Sequence, residues 1–166
     1  IEVKIYDADT SNTTRCYLGS RQDSGDTRFY APAIYQRVYD FALGQDYFRY
    51  APEIIPNQIV KLELVWNSET QKYNSYIDDV LNPKTQSVSG FDTQYNLYLF
   101  AANNYGTAGH ICLSGTRCYE LKIWNEGSLV RNFVTAKRNS DNEVGMYDLV
   151  SETFFSDVLL QRGLRR

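Results

Sequence analysis

Residues 121 to 134 read Leu121-Lys122-Ile123-Trp124-Asn125-Glu126-Gly127-Ser128-Leu129-Val130-Arg131-Asn132-Phe133-Val134. Apolar and polar side chains alternate on both sides of Asn125-Glu126-Gly127. Two half-buried strands joined by a tight turn have this pattern. Gly127 supplies the positive φ that such a turn needs. The first strand spans 117–124, with Tyr119, Leu121 and Ile123 on one side. The second spans 129–136.

The same pattern continues outward in both directions. Residues 144–150 and 153–155 predict two further strands, with Tyr147 and Phe154 as core and Gly145 at a close backbone approach. Residues 96–102 form a strongly apolar strand, followed by an Asn- and Gly-rich loop over 103–109. In 57–66, Val60, Leu62, Leu64 and Trp66 share one face, which makes Trp66 a core residue. Residues 67–70 are a turn, and 72–80 return as a hairpin. Shorter strands are predicted over 1–6, 15–20 and 46–50, and 29–43 holds two short strands broken near Pro32. Only 158–164 has a helical pattern, and Gly163 weakens it. Many short strands, frequent turns and no long helix mean a sandwich or barrel.

With 166 residues, the chain fits one domain. No linker or fixed-period repeat divides it. Hydrophobic residues make up 43% and charged residues 22%, a globular composition. The net charge of −3, with acids and bases mixed, disfavours nucleic acid as a partner. No apolar run reaches the roughly 20 residues of a membrane helix. No signal peptide is read, and the chain opens inside a strand pattern, as a mature piece or an excised domain would. There are 14 tyrosines. They suit strand packing first and ligand contact second. Cys16, Cys112 and Cys118 make an odd count, which argues against a full disulfide framework. Cys112 and Cys118 could meet across a hairpin at 114–116, but three small buried hydrophobes is the simpler reading.

Four stretches resemble the concanavalin A-like lectin/glucanase domain of the laminin-G-like kind. They are Leu97-Tyr98-Leu99-Phe100-Ala101, the hairpin quoted first, Glu143 to Phe155, and Gly19-Ser20-Arg21. The resemblance implies an all-β, two-sheet antiparallel jelly-roll sandwich over 1–157, with 158–166 as a tail or linker. It also implies an extracellular, cell-surface or virion-tail location, since such domains are common in surface proteins of gut bacteria and in phage tails. Family members usually carry Asp where Asn132 stands and Pro where Thr135 stands, and a further strand upstream of Ile1.

The glucanase branch uses two carboxylates on one strand, about 5 Å apart. No such array is present. Glu63 and Glu69 are separated by a turn, and Asp78 and Asp79 are neighbours that a strand would point to opposite faces. His110 and Cys112 lack a third partner for a nucleophile relay. Zinc finds no ligand spacing. Calcium is open, because 7–12 places oxygens at alternate positions, with Asp7 and Asp9 as weak ligands; an Asx-rich turn explains the same residues. The chain therefore reads as a non-catalytic module without an obligate cofactor, binding a glycan or cell-surface receptor and meeting the neighbouring domains of a larger chain; the alternatives are a structural or protein-interaction domain and, second, a glycoside hydrolase of the glucanase branch. Sugar recognition needs aromatic platforms beside planar polar groups. Asn103, Asn104, Tyr105 and His110 form one candidate cluster. Tyr47 and Arg49 form a second, and Trp124, on the face of Glu120 and Lys122, is a third.

Overall fold

The computed structural model describes residues 1–6, 15–21, 28–35, 38–44, 46–53, 57–82, 86–87, 95–109, 111–112 and 115–156. Every regular element among them is a strand. In chain order these are β1 (Glu2–Tyr6), β2 (Arg15–Cys16), β3 (Leu18–Arg21), β4 (Arg28–Tyr35), β5 (Val38–Gly44), β6 (Asp46–Glu53), β7 (Ile59–Asn67), β8 (Lys72–Ile77) and β9 (Val80–Leu81). There follow β10 (Gln86–Ser87), β11 (Tyr98–Leu99), β12 (Ala102–Asn104), β13 (Thr107–Gly109), β14 (Arg117–Asn125), β15 (Ser128–Lys137), β16 (Val144–Asp148) and β17 (Thr153–Ser156).

One sheet holds nine of these strands in the order β10-β8-β7-β1-β14-β15-β16-β17, with β9 pairing β8. The second consists of two four-stranded ladders, β11-β3-β12-β13 and β2-β4-β5-β6. The first sheet is antiparallel throughout. The second departs from the all-antiparallel expectation at one place, where β12 runs parallel to β3. The core lies between the two sheets. From the first come Ile5, Val60, Leu62, Leu64, Tyr73, Cys118, Leu121 and Met146; from the second come Tyr17, Leu18, Tyr39 and Phe41. Burying a side chain of this size stabilises by roughly 1.5–3 kcal/mol before entropy is charged. The tail 158–166 lies outside the described residues.

The turns follow from local chemistry. Asn125 pairs with Ser128 across Glu126 and Gly127, whose φ values are 49° and 78°. Two successive positive φ angles define a type I′ turn, matched to the twist of the strands it joins. In the β7–β8 loop, Asn67 Oδ1 accepts the Glu69 and Thr70 N–H groups, each at 2.9 Å. Asp78 and Asp79 do not continue a strand. Both have positive φ (47° and 66°) and turn the chain from β8 into β9. Asp78 Oδ1 accepts the Lys61 N–H at 2.8 Å, and Asp79 pairs with Lys61 Nζ.

Two core expectations are corrected by register. Between Lys4 and Ile5 the pairing with β14 slips by one residue, so Ile5 faces Cys118 and Tyr119 is skipped. Cys118 is therefore buried, while Tyr119 is 40% exposed. Tyr147 and Phe154 pair with each other across β16 and β17, while Met146 and Asp148 are the buried residues of β16. Tyr147 and Phe154 stand half-buried on the opposite face, where the Arg138 guanidinium lies 4.9 Å from the Phe154 ring centre.

The three cysteines form no disulfide, and all are buried. Cys112 Sγ donates to the Cys16 carbonyl at 3.3 Å. Burial pushes the Cys118 thiol up to about 12, against a weaker downward pull from its backbone hydrogen bond at Glu120. The native state thus holds a proton that the unfolded chain releases near pH 9. The stability held by this thiol is complete below pH 9 and is lost as pH rises toward 12. The wild type is expected to lose about 2 kcal/mol more than Cys118→Ala between pH 9 and 10.5 in urea titrations, at ~1.4 kcal/mol per pH unit. Parallel curves for the two proteins would refute this. Native protein at pH 8 is also expected to resist a thiol reagent until denaturant is added.

Candidate functional site

β1 is flanked by β7 on one side and β14 on the other. Its pairing begins with Glu2, opposite Glu63 and Lys122. Ile1 adds one more pair, donating its N–H to the Leu64 carbonyl (2.9 Å) and accepting from the Leu64 N–H (2.8 Å). β7 then runs on to Asn67 and β14 to Asn125.

A cleft of about 720 Å³ lies beside Ile1 and the ends of β7 and β14. Ile1, Leu64 and Ile123 form its inner end, Trp66 and Trp124 border it, and the two hairpin loops supply Asn67, Ser68, Glu69, Asn125 and Glu126. Among the described residues of the lining, Glu69 and Glu126 carry the only charged side chains, beside the Ile1 amino group. Trp66 is 43% exposed and Trp124 38%. Both are large apolar surfaces left in water, which a monomer gains nothing from exposing.

Trp66 is a correction to the core expectation. It does sit on the apolar face, since it pairs with the buried Tyr73. It is the last apolar residue before the turn, however, and stands 43% exposed beside the cleft. For Trp124, a register shift against β15 falls between Ile123 and Trp124 and skips Val130. The extra residue belongs to β15, so it is β15 that bends at this point. Trp124 borders the cleft, whereas Glu120 and Lys122 lie in a charge ladder on the outer face, with Lys122 bridging Glu120 (2.7 Å) and Glu2 (3.7 Å).

Of the other predicted site residues, the described Asn103, Asn104 and Tyr105 do not line this cleft. Asn103 is buried, and its amide shapes its own loop: Nδ2 donates to the Asn96 carbonyl (2.9 Å), and Oδ1 accepts from the Gly106 N–H (2.8 Å). Tyr105 and Gly106, at φ 54° and 87°, make the type I′ turn between β12 and β13. Tyr105 is exposed and stands edge-on to Tyr95 at 6.3 Å between ring centres. Asn104 packs against Gly109 so closely that a Cβ added there would meet its Nδ2 at 2.1 Å. Tyr47 and Arg49 lie in β6, in register with Ala42 and Asp40; their side chains lie outside the described residues. So do His110, Asp7 and Asp9, and with them the calcium expectation. Among the described residues no group of three metal-ligating side chains occurs, and no helix is long and apolar enough to cross a membrane.

The loop residues Asn67, Glu69, Asn125 and Glu126 were not among the sequence candidates. The available signal was symmetry. Two hairpins, each preceded by a Trp-Asn pair (Trp66-Asn67 and Trp124-Asn125), suggest that both turns present similar chemistry at one sheet end.

Together these observations define an all-β sandwich of two sheets with an aromatic-bordered, acid-rimmed cleft between two neighbouring hairpins. Comparison of the chain with protein-family models, curated proteins and solved structures finds no match.

Proposed function

We propose that this chain is a non-catalytic binding module of the concanavalin A-like, laminin-G-like jelly-roll type, part of a larger extracellular or phage tail protein. Its ligand is a glycan or a cell-surface receptor. The observation that carries this reading is the cleft in which Trp66 and Trp124 are exposed beside Asn67 and Asn125. Indole faces stack on apolar surfaces, and amides and carboxylates bond hydroxyls or N–H groups. That combination is the usual equipment of a binding pocket. The kinship supporting the jelly-roll type rests on the sequence stretches quoted above.

Trp66→Ala and Trp124→Ala are each expected to weaken ligand binding at least tenfold while leaving the melting temperature within a few degrees of wild type. A glycan array probed with calcium and with chelator, followed by calorimetry on any hit, supplies the measurement. If the substitutions lower stability and leave affinity unchanged, the tryptophans are packing residues and the site is elsewhere. A protein-interaction role is the second reading, favoured by two exposed indoles in one cleft, since tryptophan is enriched at protein interfaces.

A further inference from the structure

We propose that Cys16 and Cys112 are an oxidisable pair, which a thiol–disulfide couple closes into a bridge that staples the two ladders of the second sheet together.

The observation is a contact between positions 96 apart in the chain. The Cys112 thiol donates to the Cys16 carbonyl oxygen at 3.3 Å. That oxygen lies two bonds, about 2.4 Å, from the Cys16 Cα. The Cys112 sulfur therefore stands within about 5.7 Å of the carbon that bears the Cys16 side chain. Bridged cysteines have Cα atoms about 4.4–6.8 Å apart. From this starting point the two sulfurs meet by rotation about χ1, without a change in strand pairing.

The backbone fixes the two segments to one residue. The Phe100 N–H donates to the Tyr17 carbonyl (2.7 Å), and the Phe100 carbonyl accepts the Cys112 N–H (2.9 Å). Both cysteines are buried, so a closed bridge is shielded from reductants in solvent. Cys118 is placed differently. Its thiol donates to the Glu120 carbonyl of its own strand (3.5 Å), and it pairs with Ile5 in the first sheet. The odd count thus resolves into one pair and one structural thiol.

The position gives the bond a consequence. Cys16 ends β2, in the ladder β2-β4-β5-β6, and Cys112 follows β13, in the ladder β11-β3-β12-β13. A bridge ties these ladders directly to each other. It also closes a long loop in the unfolded chain, where the entropic stabilisation by a disulfide is greatest.

The oxidant is a small disulfide such as oxidised glutathione. One cysteine thiolate attacks it, forming a mixed disulfide and releasing one glutathione. The second thiolate attacks the protein sulfur of that bond and releases the other glutathione. The protein gives up two electrons and two protons, and one oxidised glutathione becomes two reduced ones. Because both sulfurs are buried in the native state, the exchange runs as the chain folds.

The experiment refolds the full chain in oxidised or in reduced glutathione. Each product is then labelled with a maleimide under denaturant, digested and mapped by mass spectrometry. The expected result is one labelled cysteine, Cys118, after oxidative refolding, with the Cys16 and Cys112 peptides joined; reductive refolding leaves three labelled cysteines. The oxidised protein is expected to melt roughly 10 °C above the reduced one. Cys16→Ala and Cys112→Ala should each abolish that redox dependence, and Cys118→Ala should keep it. The mapping needs only the wild type, so a variant that fails to fold leaves the decision intact. Three labelled cysteines after oxidative refolding, or a bridge that contains Cys118, would overturn the inference. A Cys16–Cys112 bridge that leaves the melting temperature unchanged would overturn the stapling role.

Discussion

Replacing Asp148 by alanine is expected to destabilise the domain by about 3–5 kcal/mol, the range for removing one partner from a buried charged network. Asp148 is fully buried at the end of β16. Its Oδ1 accepts the N–H groups of Asn132 (2.9 Å) and Val150 (3.1 Å), and its Oδ2 accepts the Ser151 hydroxyl (2.7 Å). Arg131 Nε stands 3.7 Å away. One carboxylate thus ties β15 to the β16–β17 turn. Burial pulls its pKa up, but these donors and Arg131 together hold it below the ordinary carboxylate value. The contribution is therefore complete above about pH 4 and is lost as pH falls through the lower native value. Urea denaturation from pH 7 to pH 2 should show a steeper acid loss for wild type than for Asp148→Asn. Asparagine keeps one acceptor and does not titrate, so it separates charge from shape. If Asp148→Ala costs under 1 kcal/mol at pH 7, the network is not a structural anchor.

Gly145→Ala is expected to cost about 3 kcal/mol, near the upper end for forcing an extra methyl into a packed site. A Cβ there would stand 2.2 Å from the Phe155 carbonyl oxygen and 2.8 Å from Phe154 Cζ. The first neighbour is backbone of the adjacent strand, so relief requires β16 and β17 to separate. Gly127→Ala is the control. No atom lies within 4 Å of its added Cβ, and only the positive φ of 78° opposes it. That substitution should cost about 1 kcal/mol. Equal losses at the two positions would show that close approach at Gly145 is not the constraint.

The strand content was legible because alternation in β7, β14 and β15 reports which face is buried, and Asn125-Glu126-Gly127 has few conformations other than a tight turn. Alternation misled where the ladder slips. The skipped Tyr119 exchanged a tyrosine for Cys118 in the core, and side-chain periodicity carries no mark of a bulge. Tyr147 and Phe154 misled for another reason: an aromatic pair on an outer face has the same pattern as one in a core. Asn103 was legible as polar and loop-borne, yet its amide is taken up by the Asn96 carbonyl and the Gly106 N–H. That can be seen only once the loop is closed.

By itself the sequence determined the all-β class, the hairpins at Asn67 and Glu126, and the absence of a paired-carboxylate array along a strand. These are properties of neighbouring residues, and local spacing carries them. Only the tertiary structure decided that Trp66 and Trp124, 58 positions apart in the chain, border one cleft. Their proximity depends on strand order. β1 lies between β7 and β14, which run antiparallel to it on either side, and no local pattern records which strands become neighbours.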